Sequence, residues 1–400
     1  MAKSSNDVVV TGIGLVTSFG VGIEPHVAML TGGQPEVRID AEICAPYPVH
    51  PLPEIDWKGQ IPKRGDQRQM ENWQRLGVYA AGLALDDAGM KENEELCATM
   101  DMIVAAGGGE RDIAVDSLIV NEARQRNDRE ILLNEKLTTE LRPTLFLAQL
   151  ANLVAGNISI VHKVAGSSRT FMGEEAAGIS AVATAYARIL AGQSSHTLVG
   201  GSFVAERRDI LLMMESVHAL SRGEWRPLWD RPEDEDGGMV MGTAGAFLVL
   251  ESREHAEARG AHIYAVLSGV EGDRGKRDDG RLEQRLERLF KDAGFTGASN
   301  EAILSGATGL TDITMREAAF VKEHFPSVPL RGYTGAAGHA MEANFTLGIA
   351  LAALALDRKV ALPVFNAGGE QPMAAPAEKI AVTTVGHQRG EGVAVLSAEK

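Results

Sequence analysis

The sequence predicts a layered α/β fold in which apolar helices lie buried between β-sheets. Short β-branched runs alternate with helical stretches along the 400 residues, a pattern typical of stacked sheet and helix layers. Two of the helical stretches are rich in small residues and apolar nearly all round, so they are expected at the centre. These two are AAGISAVATAYARILAGQ and ANFTLGIALAALALDRK.

The predicted strands are apolar runs that close in glycine or polar residues. The first begins at Val8 and ends in the glycine turn at Gly12 and Gly14. The others run from Met102 to Gly109, His196 to Ala205, Ala244 to Ser252, His262 to Gly272, Glu301 to Gly309 and Glu391 to Glu399.

The order of these elements predicts two related halves. Strand, glycine turn, small-residue helix and strand pair occur in the first part, and a shorter version recurs in residues 255–400. We therefore expect an N-terminal half at 1–252 and a C-terminal half at 253–400. The charged, glycine-bearing stretch 269–284 is either a linker or a surface loop within one half.

Composition excludes several functional classes. The formal net charge of −15 argues against a nucleic-acid surface, because a phosphate backbone is bound by clustered lysine and arginine. No apolar run reaches the roughly 18 residues of a membrane span, and the N-terminus lacks a secretory signal. We expect a cytoplasmic protein without a membrane span.

Metal and disulfide sites are also not expected. The two cysteines, Cys44 and Cys97, are far apart and have no metal-like spacing. The acidic run PEDEDGG, residues 232–238, is more typical of a solvated loop than of a metal site. The sequence therefore predicts neither a metal nor a resident cofactor.

Four segments in order carry a family resemblance: VVVTGIGLVTSFG, LANLVAGNISI, GSSRTFMGEEAAGISAVATAYARILAGQSSHTLVGGS and RPLWDRPEDEDGGMVMGTAGAFLVLES. Together with the spacing from Gly178 to Gly192 to Gly200, they make the chain resemble the β-ketoacyl-acyl-carrier-protein synthases. These are the condensing enzymes of fatty-acid and polyketide synthesis. The resemblance implies a thiolase-like, layered α-β-α-β-α fold of two pseudo-repeated halves, a dimer, and a Cys-His-His site.

The resemblance breaks at that site. The family's cysteine stands three residues before the glycine that matches Gly178, and this position is Glu175 here. Ser305 stands in the place of the first histidine. Counting from Gly335 puts Ala336 at the second histidine, whereas a different gap brings in His339. The resemblance thus leaves at most one of the three catalytic side chains.

Further residues are expected near the site by the same resemblance. The family's glycine-rich C-terminal loop corresponds to TTVGHQRGEG, which contains His387, a second candidate beside His339 for a histidine that touches the pocket. Four residues lie in segments that border the family's acyl pocket and are expected to bind substrate: Phe171, Met172, Met239 and Met241.

These substitutions favour a non-condensing partner, like the chain-length factors that pair with a catalytic synthase. The implied partners are a catalytic β-ketoacyl-acyl-carrier-protein synthase in a heterodimer, or a second copy in a homodimer. An acyl carrier protein would present substrate on its phosphopantetheine arm, and the basic segment 121–130 either docks that carrier or is a plain exposed helix. The implied product is a specialised long acyl chain, such as a very-long-chain fatty acid for lipid A or an aryl polyene.

Three enzymatic alternatives stay open. One is a stand-alone decarboxylase of malonyl-carrier thioesters, and another is a divergent 3-oxoacyl-acyl-carrier-protein synthase. The third is a hydrolase or dehydratase that uses Glu174 or Glu175 as a general base, which would require a buried carboxyl with a raised pKa.

Overall fold

A computed structural model describes residues 3–32, 36–231 and 237–399. Most of the acidic run 232–238 therefore lies outside the described residues. The strands are β1 (Val8–Thr17), β2 (Gly20–Val21), β3 (Val49–His50), β4 (Asp101–Ala106), β5 (Ser168–Met172), β6 (His196–Phe203), β7 (Met241–Gly242), β8 (Ala244–Ser252), β9 (Ala265–Asp273), β10 (Glu301–Ser305), β11 (Leu330–Gly332), β12 (Lys379–Val385) and β13 (Glu391–Ser397).

The helices surround and separate these strands. They are α1 (Ile23–Thr31), α2 (Arg64–Gln69), α3 (Asn72–Asp87), α4 (Glu94–Thr99), α5 (Ile113–Ala123), α6 (Arg129–Thr139), α7 (Leu145–Ala148), α8 (Leu153–His162), α9 (Glu175–Leu190), α10 (Arg208–Ser216), α11 (Arg253–Ala258), α12 (Arg281–Asp292), α13 (Thr311–His324), α14 (Thr334–Ala337) and α15 (Asn344–Asp357). Short 3-10 turns lie at Trp57–Gly59, Leu228–Asp230 and Met341–Ala343.

The two halves of the sheet repeat one topology. In the first half the strand order is β5-β4-β6-β8-β1, and in the second it is β11-β10-β12-β13-β9. Numbered within its own half, each order reads 3-2-4-5-1. Parallel and antiparallel pairs also fall at the same places. A short antiparallel pairing of β1 with β9 joins the halves, so the predicted two-part architecture is present, while the boundary at residue 252 stays a prediction.

The two small-residue helices occupy equivalent places in the halves. Helix α9 follows β5, and α15 comes after β11 by way of α14. Every residue of α15 from Asn344 to Leu356 is buried, and the two helices share one apolar cluster with residues of β1, β8 and β9. Their small side chains allow close packing at the centre of the protein.

Strand β1 is buried along its whole length, and helix α3 packs on one of its faces. Gly14 faces the α3 backbone so closely that a Cβ there would overlap the carbonyl oxygen of Ala80. A side chain at this position would push the helix off the strand.

We therefore expect Gly14→Ala to lower the free energy of unfolding by about 2–3 kcal/mol, since the overlap is with backbone that cannot turn away. Denaturant unfolding measures the effect. Gly65→Ala in α2 is the matched control, because a Cβ at Gly65 meets nothing within 4 Å, and its expected effect is within about 0.5 kcal/mol. Equal effects at the two sites would contradict the packing argument.

Two features of the chain differ from the sequence analysis or refine it. The segment SRTFM, which is not among the predicted strands, is strand β5. Residues 269–273 belong to strand β9, so the charged stretch is a surface loop inside the second half that leads into α12. Among the described residues, no helix combines the length and apolar character needed to cross a membrane.

Candidate functional site

Glu175 begins helix α9 at the point where the chain leaves strand β5. Gly173 makes the turn between them with a φ of 139°, a conformation open to glycine and strained for other residues. Glu174 is the N-cap, and Glu175 is only 1% exposed. The partial positive charge of a 16-residue helix N-terminus therefore acts on a buried carboxylate.

Two histidines hold this carboxylate. The Nε2 atom of His339 lies 2.8 Å from Oε1 of Glu175. The Nδ1 atom of His387 lies 3.0 Å from the same oxygen and 3.2 Å from Oε2, and the His387 backbone N–H also donates to Oε1. All three side chains are at most 2% exposed.

The electrostatics make this cluster an ion pair. Burial alone would raise the pKa of Glu175, but the hydrogen bonds and charges of His339 and His387 hold the pKa well below its ordinary value. Burial likewise lowers the pKa of His387, yet the hydrogen bond and charge of Glu175 raise it overall. Glu175 is thus an anion and His387 favours the cationic form.

The backbone fixes both histidines. His339 follows α14 and pairs with strand β7, since its N–H donates to Val240 and its carbonyl accepts from Gly242. His387 lies in the turn between β12 and β13, closed by a 2.7 Å bond from the Gly386 N–H to the Gly390 carbonyl. Two loops from the second half thus meet the helix start of the first half.

The structure places the remaining site residues away from the Glu175 carboxyl. Ser305 ends β10, and its hydroxyl donates to the buried carboxyl of Glu317 at 2.9 Å. Ala336 is buried in α14, and among the described residues the histidine that reaches Glu175 from this segment is His339. Two histidines therefore meet Glu175: His339, which one placement of the gap brings to the second-histidine position, and His387 of the C-terminal loop.

Of the four residues expected to bind substrate, Met172 lines a cavity of about 340 Å³ beside the start of α9. Met239 and Met241 lie behind its wall, packed in the core with the lining residues Phe203 and Met341. Phe171 packs instead against the central apolar cluster. The remaining lining residues are Gly107, Gly108, Gly173, Glu174, Arg207, Ile210, Met213 and Glu342.

Glu342 is a site residue that the sequence analysis did not find. It lies in the 3-10 turn before α15, is 5% exposed, and its carboxyl occupies the space where Gly107 has no side chain. Burial raises its pKa to about 8, with the charges of Glu175 and Glu174 adding to the rise and Arg207 opposing it. A lone acid in the apolar run AMEANFTLGIALAALAL was the available signal.

Arg207 is a second such residue. It is 6% exposed, and its guanidinium donates to the carbonyls of Gly108 at 2.7 Å and Gly109 at 3.0 Å. It also pairs with Asp209. These bonds fix the loop after β4 that faces Glu342.

The spacing of Glu174, Glu175 and His387 would allow a metal ion, since one ligand atom from each lies within 4.8 Å of the others. The hydrogen bonds between Glu175 and His387 account for this proximity without an ion. The arrangement is therefore described as a buried acid held by two histidines.

Sequence comparison finds known proteins that are similar to most of the chain. Residues 5–256 match the model of the β-ketoacyl synthase N-terminal domain. A 3-oxoacyl-[acyl-carrier-protein] synthase 2 from Rhizobium meliloti (strain 1021) is 28% identical over 387 residues, covering 90% of this chain and 88% of the relative.

Solved structures share the fold over the whole chain. The ishigamide ketosynthase/chain length factor superimposes with a TM-score of 0.76 at 22% identity, covering 98% of this chain and 99% of that one. A type II polyketide synthase acyl-carrier protein in complex with its ketosynthase bound to the hexaketide gives a TM-score of 0.72 at 18% identity, with coverage of 98% and 99%. The likeness over 98% of the chain confirms the predicted fold.

Proposed function

The chain belongs to the β-ketoacyl synthase family, and on that premise we propose that it is the non-condensing partner of an active β-ketoacyl-acyl-carrier-protein synthase. The observation that carries the proposal is the anion of Glu175 in the nucleophile's position, hydrogen-bonded by His339 and His387. Such a carboxylate cannot carry an acyl chain as a displaceable thioester. In this role the catalytic cysteine belongs to the other protomer, and the pair makes a specialised long acyl chain.

Neither thiol of the chain replaces the missing nucleophile. Cys44 and Cys97 are both buried, and burial raises the pKa of both. The Cys97 thiol donates to the Met90 carbonyl at 3.4 Å, away from the Glu175 cluster. A thiol with a raised pKa is a poor nucleophile.

A basic cluster supports an acidic carrier protein as a further partner. Arg64, Arg68, Arg75 and Arg142 line a second pocket of about 340 Å³, with Glu71 as its acid. This surplus of positive charge stands out on a chain whose net charge is −15 and would attract an acidic carrier. In the segment 121–130, which was considered above for this role, Arg126 already forms ion pairs with Asp128 and Glu135.

A second candidate, decarboxylation of a malonyl thioester, is favoured by one observation. The outer ring nitrogens, Nδ1 of His339 and Nε2 of His387, are buried without a partner in the described residues. Protonated His387 can donate from Nε2 to a developing enolate oxygen, as such a reaction needs. The adjacent anion of Glu175 opposes the same charge, so this candidate ranks second.

The experiment is reconstitution with a catalytic synthase encoded beside this chain. We expect a stable heterodimer, and we expect malonyl-carrier condensation only from the pair. The pair carrying Glu175→Gln should condense at a rate within about twofold of the wild-type pair, because Glu175 performs no chemistry. Both mass of the complex and product formation are measured.

Each candidate has its own signature in that assay. Decarboxylation of malonyl-carrier thioester by this chain alone, abolished by His387→Gln, would establish the second candidate instead. Condensation by this chain alone, abolished by Glu175→Gln, would contradict the partner role outright.

A further inference from the structure

Glu342 is 5% exposed, and its carboxyl lies against Gly107 at the wall of the cavity. Among the described residues it makes no hydrogen bond or ion pair with another side chain, and its own backbone N–H is the hydrogen-bonding group beside it. A buried polar group without a partner costs free energy comparable to a lost hydrogen bond. We therefore expect the carboxyl of Glu342 to form a hydrogen bond with a bound ligand.

The nearest cation does not supply that partner. Arg207 lines the same cavity, but its guanidinium already donates to Gly108 and Gly109 and pairs with Asp209. Glu174 and Glu175 are acids and repel the ionised form of Glu342. The neutral carboxyl is thus the form that faces the cavity near neutral pH, and it can both donate and accept a hydrogen bond.

The rest of the cavity is largely apolar. Its walls include Phe203, Ile210 and Met341, and its rim carries Met172 and Met213, which are 71% and 46% exposed. The cavity volume of about 340 Å³ lies within the range of small-molecule sites. Flexible thioethers at the rim adapt to an elongated apolar group. An apolar cavity with one buried carboxyl matches a hydrocarbon chain that carries one polar atom.

We propose that this cavity binds an acyl chain bearing an oxygen function, a hydroxyl or a keto group, and that Glu342 selects such a chain over a plain alkyl chain by hydrogen-bonding its oxygen. The identity of the ligand as an acyl chain rests on the proposed function. A plain alkyl chain would cover Glu342 without forming a hydrogen bond to its carboxyl. Such a chain therefore binds without the favourable free energy that this hydrogen bond gives to an oxygen-bearing chain.

The test measures binding of N-acetylcysteamine thioesters to the isolated chain by calorimetry at pH 7. The probes are the octanoyl thioester and its 3-hydroxy, 5-hydroxy and 7-hydroxy derivatives, since the depth of Glu342 along the chain decides which hydroxyl reaches it. We expect at least one hydroxylated probe to bind about tenfold more tightly than the octanoyl thioester, the effect of one additional hydrogen bond.

Two variants assign the preference to Glu342. Glu342→Met keeps a similar length without a polar hydrogen-bonding group, so the preference should vanish and the octanoyl thioester should bind as tightly as the hydroxylated probes. Glu342→Gln keeps a donor and an acceptor, so the preference should remain within about threefold of the wild type. Thermal unfolding checks that each variant is folded.

Three results would overturn the proposal: equal or tighter binding of the octanoyl thioester by the wild type, an intact preference in Glu342→Met, or no binding of any probe. These outcomes are independent of reconstitution. If the pair condenses but no preference exists, the selectivity of Glu342 fails alone. If the probes bind with the preference but no pair condenses, the partner role fails alone.

Discussion

Replacing Glu175 with alanine is expected to lower the free energy of unfolding by about 3–5 kcal/mol, the usual effect of removing one member of a buried ion pair. The change leaves His339 and His387 buried around an empty space, with the ring nitrogens that now face Oε1 unsatisfied. Both loops that deliver these histidines lose their anchor on α9. Chemical denaturation at pH 7 measures the difference.

Glu175→Gln is the matched control. The amide keeps the shape and one acceptor oxygen but loses the charge, so we expect a cost of only about 1–2 kcal/mol. Because the pKa of Glu175 is held below its ordinary value, its charge stabilises the fold above that value and this contribution is lost as pH falls through the depressed pKa. The difference in the free energy of unfolding between the wild type and Glu175→Gln should therefore decrease at acid pH. No cost of Glu175→Gln at pH 7 would contradict the ion-pair description, and equal costs for alanine and glutamine would show that the retained shape and acceptor oxygen contribute nothing.

Much of the fold could be predicted from sequence because the central strands are long and apolar. Strands β1, β6 and β8 are buried throughout or nearly so, and their β-branched runs carry the signal. Strand β5 was missed because SRTFM is short and partly exposed at a sheet edge, and its partner residues in β4 lie 66 positions earlier in the chain. Pairing over such distances leaves little local pattern.

Some residues of the site could likewise be identified from the sequence, and others could not. Glu175 could be found because motif spacing fixes the start of α9. The position of His339 depended on where a gap is placed, and the backbone settles its location by pairing it with β7. Glu342 could not be recognised as a cavity residue, because its contact with Gly107 joins residues more than 200 positions apart.

The contribution of Glu342 to the free energy of unfolding changes with pH in the direction opposite to that of Glu175. Burial raises the pKa of Glu342 from its ordinary 4.5 to about 8, so the folded chain binds this proton more tightly than the unfolded chain does. The free energy of unfolding therefore falls as pH rises between these values. Ionised Glu342 faces the charges of Glu175 and Glu174, and Arg207 opposes their repulsion.

Glu342→Gln removes the free-energy cost of ionising this buried carboxyl. We therefore expect the variant to have a free energy of unfolding about 1–3 kcal/mol higher than that of the wild type at pH 9, which is below the full 1.36 kcal/mol for each unit of pKa shift. Near pH 4.5 the two should be similar, because both then carry a neutral group. Denaturant unfolding from pH 5 to 9 measures the trend. Glu224→Gln, which removes the same charge from an exposed position, should track the wild type, and parallel curves for Glu342→Gln and the wild type would show that Glu342 ionises as an ordinary surface acid does.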